Sequence, residues 1–172
     1  MNWIMYIAFI FLLYSFLGWC LEQVYCFLIT KHFKEDGFLA GPFKPMYGFA
    51  IAIMVYLFEV TKIQGILLLI AIIIVPTAIE YLSGYILRVK FNKDYWDYSN
   101  VKYNYKGLIC ARFSLYWAIL TSVVLYIIQP IVNSIYFRFN SVFKFIVPIL
   151  MIYIILDFYG TVKLMNLNKA WL

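Results

Sequence analysis

Glu22, Glu80 and Asp157 are acids set inside runs of Leu, Ile, Val and Phe. A charged side chain at the middle of an apolar helix costs roughly 2.5–3.5 kcal/mol on insertion scales, so acids in such places usually have a purpose. Glu22 stands nine residues before Lys31, Glu80 eight before Arg88 and Asp157 six before Lys163. On a helix these separations are about 13, 12 and 9 Å. Arg112 lies five residues beyond Gly107, about 8 Å into a further run. Four charges on four helices therefore sit at similar depth. Each is expected to turn away from lipid into the bundle, where three acids face one guanidinium. Such a cluster suits a cation, a proton or a polar substrate. The alternative is an ion network that pins four helices in register. Glu59, beside Lys62, reads instead as a solvated residue at a helix end.

Other chemistries lack their residues. His32 is the one histidine, and Cys20, Cys26 and Cys110 are odd in number and lie in apolar surroundings. Neither a disulfide framework nor a metal site is expected from them. There is no nucleophile–base pair to name as catalytic, and no cofactor is expected. No G-x-x-x-x-G-K-[ST] phosphate loop occurs, so an ATP-driven role needs a separate ATPase subunit.

The elements that must position these charges follow from composition. Of the 172 residues, 66% are hydrophobic and 13% charged, and the apolar residues gather into runs near the roughly 20 that cross a bilayer as a helix. The expected fold is all-α: a polytopic transmembrane helix bundle of about five spans, at about 2–30, 45–60, 64–89, 108–128 and 141–164, forming one transmembrane domain over 1–172. The second span is short. Gln129 and Pro130 are expected to end the fourth, with 131–140 as an interfacial connection. The first run lacks a basic leader and a small-residue cleavage site and contains Glu22, so it reads as a retained helix. The Ile, Lys, Asn, Tyr and Phe richness suggests an AT-rich, bacterial coding sequence.

Orientation follows from the basic residues. With five spans, Lys62, Arg138 and Lys144 fall on one side and the other eleven of the 14 Lys and Arg, Lys34 and Lys169 among them, fall on the opposite side. The positive-inside rule then places the N-terminus outside and the C-terminus in the cytoplasm of a bacterial cell membrane. Loops 31–44 and 90–107 are both cytoplasmic on this reading.

Both loops carry patterned residues. The first holds Gly37, Gly41, Pro42 and Pro45, and leads into Tyr47 and Gly48. It cannot be helical throughout. Such backbone near a membrane survives where protein or water satisfies it, so the loop is expected to fold back on the bundle. The second holds Trp96, Asp97, Tyr98, Ser99, Asn104 and Gly107. Tyr95, Tyr103 and Tyr105 add to its rings, which suit the headgroup zone. "DYS" reads as an Asx or Ser-capped turn, Asn104 as a bond to loop backbone, and Gly107 as a bend before span four. Trp96 is expected to pack where Gly41 and Gly48 leave room, making the loop a folded cap over the charges. Gly18, Ser83 and Gly84 read as close-packing positions, and Pro76 and Pro148 as kinks. Glu22 precedes Phe33 by the same eleven residues that separate Glu80 from Phe91, with Lys34 and Glu35 following the one and Lys93 and Asp94 the other. This is the trace of a parallel repeat.

"GWCLE" (18–22), "GFLAGPFKPMYG" (37–48), the Glu80-bearing third span and "WDYSNVKYNYKGLIC" (96–110) together resemble the CmpB-like ABC-transporter permease family. The likeness runs over about residues 1–125 and leaves the fifth span out. Leu108 stands where the family often has a basic residue, and Arg88 where it has an acid. The resemblance implies a small multi-pass transporter component in the cell membrane. Five spans are few for a whole transport path, so a homo-oligomer or larger complex is expected; the bilayer is the other partner, and no nucleic acid is. Two alternatives stand beside transport. One is an intramembrane enzyme acting on a lipid-linked or phosphorylated substrate at the cytoplasmic face, with Asp94 and Asp97 on Mg²⁺ and Lys93, Lys102, Lys106 and Arg112 on phosphate. The other is a non-catalytic accessory protein.

Overall fold

The computed structural model describes residues 2–33 and 37–169. Lys34 and Glu35, and the side chain of Lys169, lie outside the described residues, so the readings that used them stay as expectations. The chain is a helical bundle. Helix α1 spans Trp3–Thr30, α2 Pro45–Val55, α3 Gly65–Phe91, α4 Ala111–Val123, α5 Gln129–Arg138 and α6 Asn140–Lys169. A π turn, Tyr56–Val60, extends α2, and a second, Val124–Ile128, joins α4 to α5. Among the described residues four helices are long and apolar enough to cross a membrane: Trp3–Thr30, Gly65–Phe91, Ala111–Arg138 and Asn140–Asn166. The apolar stretch Pro45–Val60 is shorter.

One expected boundary moves. Helix does not stop at Gln129 and Pro130 but runs on to Arg138. Proline has no N–H to give and clashes with the carbonyl four residues back. The π turn absorbs both effects by shifting the bonding one residue, so that Gln129 N–H donates to the Val124 carbonyl. Pro76 and Pro148 likewise lie inside continuous helices.

Within lipid, close packing holds helices together, and small residues permit it. α1 packs most extensively on α2, and the fit is reciprocal. A Cβ on Gly18 would stand 2.3 Å from Tyr47 Cγ, and one on Gly48 would stand 2.5 Å from the Phe11 carbonyl oxygen. Each helix thus gives up a side chain where the other inserts one. α3 packs on α4 and on α2, and α6 on α1. Tyr6, Ile10, Met54, Val55, Leu125 and Tyr136 fill the centre.

The first loop does fold back on the bundle. Lys44 N–H donates to the Ser15 carbonyl (2.9 Å). The Asp157 carboxylate on α6 accepts from Ala40 N–H (3.2 Å) and Gly41 N–H (2.8 Å). Gly41 is needed there: a Cβ would come 2.6 Å from the Tyr153 hydroxyl and 3.0 Å from the carboxylate.

The second loop is built, not loose. Asp97 Oδ1 accepts from the Ser99 N–H (2.9 Å) and hydroxyl (2.5 Å), closing an Asx turn. Asn104 Nδ2 donates to the Val101 carbonyl (2.8 Å), and its Oδ1 accepts from Gly107 N–H (3.1 Å). Asn104–Tyr105 pairs antiparallel with Ile109–Cys110. Lys106 (φ 55°) and Gly107 (φ 69°) make the tight turn, the double left-handed pattern that matches strand twist. Arg88 at the end of α3 holds the tip, donating to the Lys106 carbonyl and to Asp94 (both 2.7 Å).

Candidate functional site

α1, the start of α2, α3, α4 and the second loop enclose a cavity of about 490 Å³. Its floor is Glu80. That side chain is 2% exposed, carried on α3 one turn beyond Pro76. Glu80 Oε1 accepts from the Tyr98 hydroxyl (3.0 Å), while Oε2 is buried with no hydrogen-bond partner. The Trp117 indole N–H faces the same carboxyl outside hydrogen-bond geometry and is also unpartnered. A recess of about 30 Å³ opens beside them, bordered by Tyr47, Pro76, Glu80, Trp117 and Thr121. That is room for about one water or a group of its size.

The wall is aromatic and acidic. Tyr25, Tyr47, Trp96, Tyr98, Phe113, Tyr116 and Trp117 line it, with Glu22 and Asp97. Three carboxylates border the cavity, and none of its lining residues is Lys, Arg or His. The rings brace one another: Tyr98 stacks on Phe113 at 4.7 Å, and Tyr47 meets Trp117 edge-on at 5.1 Å. Glu22 pairs with Lys44 at 2.9 Å. The Asp97 carboxyl, fixed by Ser99, is held below the usual carboxylate range by the Ser99 hydroxyl and N–H. Burial, with the Glu80 charge behind it, pushes the Tyr98 phenol up, so it stays a neutral donor.

Of the four charges expected to converge, Glu22 and Glu80 share this cavity. Arg112 does not face the acids. It is exposed and donates to the Tyr116 hydroxyl at 3.0 Å. A guanidinium beside a loop reaches the surface more cheaply than it desolvates. Asp157 anchors the first loop through Ala40 and Gly41 instead. Of the loop residues, Trp96, Asp97, Tyr98 and Tyr47 line the cavity, while Ser99, Asn104 and Gly107 shape the loop that carries them. Gly41, Pro42 and Pro45 belong to the first loop and the start of α2, and Gly48 to the α1–α2 contact. Gly37 lies against Lys44. Trp96 does not use Gly41 or Gly48. It packs on Gly84, where a Cβ would come 2.9 Å from the indole, and donates to the Leu108 carbonyl at 2.8 Å. Asp94 is turned to Arg88, away from Asp97's turn.

A second polar network was not foreseen. Glu59, read as solvated, accepts from the Tyr6 hydroxyl and from Asn133 Nδ2 (both 2.7 Å). Gln129, 1% exposed, accepts from the Tyr14 hydroxyl and donates to the Tyr6 hydroxyl and Asn133 Oδ1 (2.9 Å each). The hydroxyl of Tyr6 also lies against Asn133 Oδ1. Both π turns sit at this level, joined by the edge-on Phe58–Tyr126 contact at 5.5 Å. The signal was available: Gln129 and Asn133 are four apart, and so share one helix face.

No solved structure matches the chain. The model of the family ABC_trans_CmpB, described as "Putative ABC-transporter type IV", matches residues 9–162 and so takes in most of the last helix, which the motif likeness had left out; the chain belongs to that family.

Proposed function

We propose that this protein is the membrane-embedded component of a transporter and that the cavity around Glu80 is its site for a positively charged or polar solute. One observation carries the reading: a carboxylate 2% exposed, with one oxygen unpartnered, forms the floor of a cavity of about 490 Å³ lined by three acids, of which Glu22 is paired with Lys44, and by no Lys, Arg or His. Keeping such a group costs several kcal/mol unless something neutralises it. Cavities of this size hold small molecules. The loop end of the bundle, rich in Lys and Arg, faces the cytoplasm, which places the cavity mouth on that side. Energy comes from a separate ATPase docked on the same face, in keeping with the family description, and a second copy or further subunit completes the path.

The test is a thermal-unfolding screen of the purified protein against cationic, anionic and neutral solutes at matched ionic strength. Cations should raise the unfolding temperature of the wild type and leave Glu80→Gln unmoved. Stabilisation by anions alone, or equal cation stabilisation of Glu80→Gln, would overturn the reading. Pull-down from native membranes should bring an ATPase with the wild-type chain.

A further inference from the structure

Resting on that reading and narrowing it, we propose that the cavity binds an organic ammonium ion that carries at least one N–H, with its charged head in the recess beside Glu80 and its body among the rings of the larger cavity. Three independent features converge on this class.

The first is the ring wall. Trp96, Tyr98, Phe113, Tyr116 and Trp117 border one space together with the acids. Aromatic faces attract cations through the ring quadrupole, most strongly where water is excluded. A hydrated metal ion has no use for five rings, and an anion would be repelled by their faces and by the carboxylates. The second is size. The recess, about 30 Å³, accepts one ammonium group, and the adjoining cavity accepts a carbon skeleton. The two spaces share Met46, Tyr47, Glu80, Trp117 and Leu120, so one molecule can occupy both. The third is the pair of unsatisfied atoms. Glu80 Oε2 and the Trp117 indole N–H face one another outside hydrogen-bond geometry, so neither completes a hydrogen bond. Buried polar groups are nearly always paired. An ammonium N–H satisfies the first, which a quaternary ammonium cannot do. A neighbouring hydroxyl or ester oxygen on the same ligand satisfies the second. An amino alcohol has both groups, and so does the ethanolamine headgroup of a phospholipid; the chemistry is shared.

The experiment is isothermal titration of ethanolammonium chloride into the full chain in phosphatidylcholine nanodiscs, with choline chloride, sodium chloride and propan-1-ol as comparison probes. Ethanolammonium should bind saturably to one site, at least tenfold more tightly than choline or propan-1-ol, with sodium failing to compete. Glu80→Gln should weaken it at least tenfold. Because Glu80→Gln also alters a buried group of the bundle, Phe113→Leu provides a second measure: affinity should fall about threefold or more with the unfolding temperature retained. Replacing part of the phosphatidylcholine by phosphatidylethanolamine should lower the apparent affinity if the lipid headgroup is the occupant, and leave it unchanged if the ligand is free in solution. Choline binding as tightly as ethanolammonium, or Phe113→Leu binding like wild type, overturns the proposal. Sodium binding in competition with ethanolammonium also overturns it, but leaves a cation site at Glu80 standing. If no cation binds at all, the proposed transport site falls with it.

Discussion

At the scale of single residues, the glycines divide into those that serve a contact and those that do not. A Cβ at Gly48 would sit 2.1 Å from Ser15 Oγ and 2.5 Å from a backbone oxygen, which cannot swing away as a side-chain end can. Gly48→Ala should therefore lower stability by about 1–3 kcal/mol, the usual cost of overpacking, read as a lower unfolding temperature in detergent. Gly160 has open space where its Cβ would go. Gly160→Ala should be neutral or stabilising by up to about 1 kcal/mol, through helix propensity alone. Equal effects from the two substitutions would show that the α1–α2 contact does not depend on Gly48. Gln129 is the other decisive residue. It bonds Tyr14, Tyr6 and Asn133 at once. Gln129→Leu leaves several buried polar groups short of partners, at about 1–3 kcal/mol for each group orphaned. Tyr14→Phe removes one bond and should cost about 1 kcal/mol.

At the scale of elements, the 92–110 segment is held by its own side chains. Its turn depends on Asp97 and Ser99, its bend on Asn104, and its tip on Arg88. Limited proteolysis at neutral pH should spare the bonds between Lys93 and Lys106, and Asp97→Ala should expose them; rapid cleavage of the wild type would refute a built loop. The pH sign follows from Asp97. Its carboxyl is depressed in the folded state, so its contribution is present above the unfolded value of about 4 and is lost as the pH falls through the lower, folded value. Protease resistance should hold constant from about pH 5 to 8 and weaken only in stronger acid. Resistance lost on passing from pH 8 to 6 would point to some other group.

At the scale of the molecule, the polarity of the bundle remains a proposal with a direct check. Asn100 and Ser141 are both exposed and lie at opposite ends of helix Ala111–Arg138 and its neighbours. In a background with Cys20, Cys26 and Cys110 replaced, a cysteine at Asn100 should react with a membrane-impermeant reagent only from the cytoplasmic side, and one at Ser141 only from outside. The reverse pattern would put the cavity mouth on the outer face and reassign the ATPase-docking side. α6 buries little of its apolar run within the chain, so lipid or a second copy covers it in the membrane.

A helical membrane bundle was legible from composition alone, because long apolar runs have few other stable states in a bilayer. The sequence also marked Glu22 and Glu80 as unusual, since an acid in such a run is costly wherever it points. The Asx turn at Asp97 and the Asn104 bonds were legible too, being local: partners lie within a few residues. Which charges meet depends on how the helices pack. Spacing along a run gives only an expected depth, not the direction a side chain faces: Arg112 is exposed and bonds Tyr116, and Asp157 holds the first loop. Glu59 looked solvated because its partners, Tyr6 and Asn133, lie 53 and 74 residues away. Pro130 looked like a stop because a π turn two to six residues earlier leaves no mark in composition. Pairings between helices arise from packing of near-uniform apolar faces, where a glycine opposite a ring, as Gly18 opposite Tyr47, sets the register, and no single-helix pattern records which ring that will be.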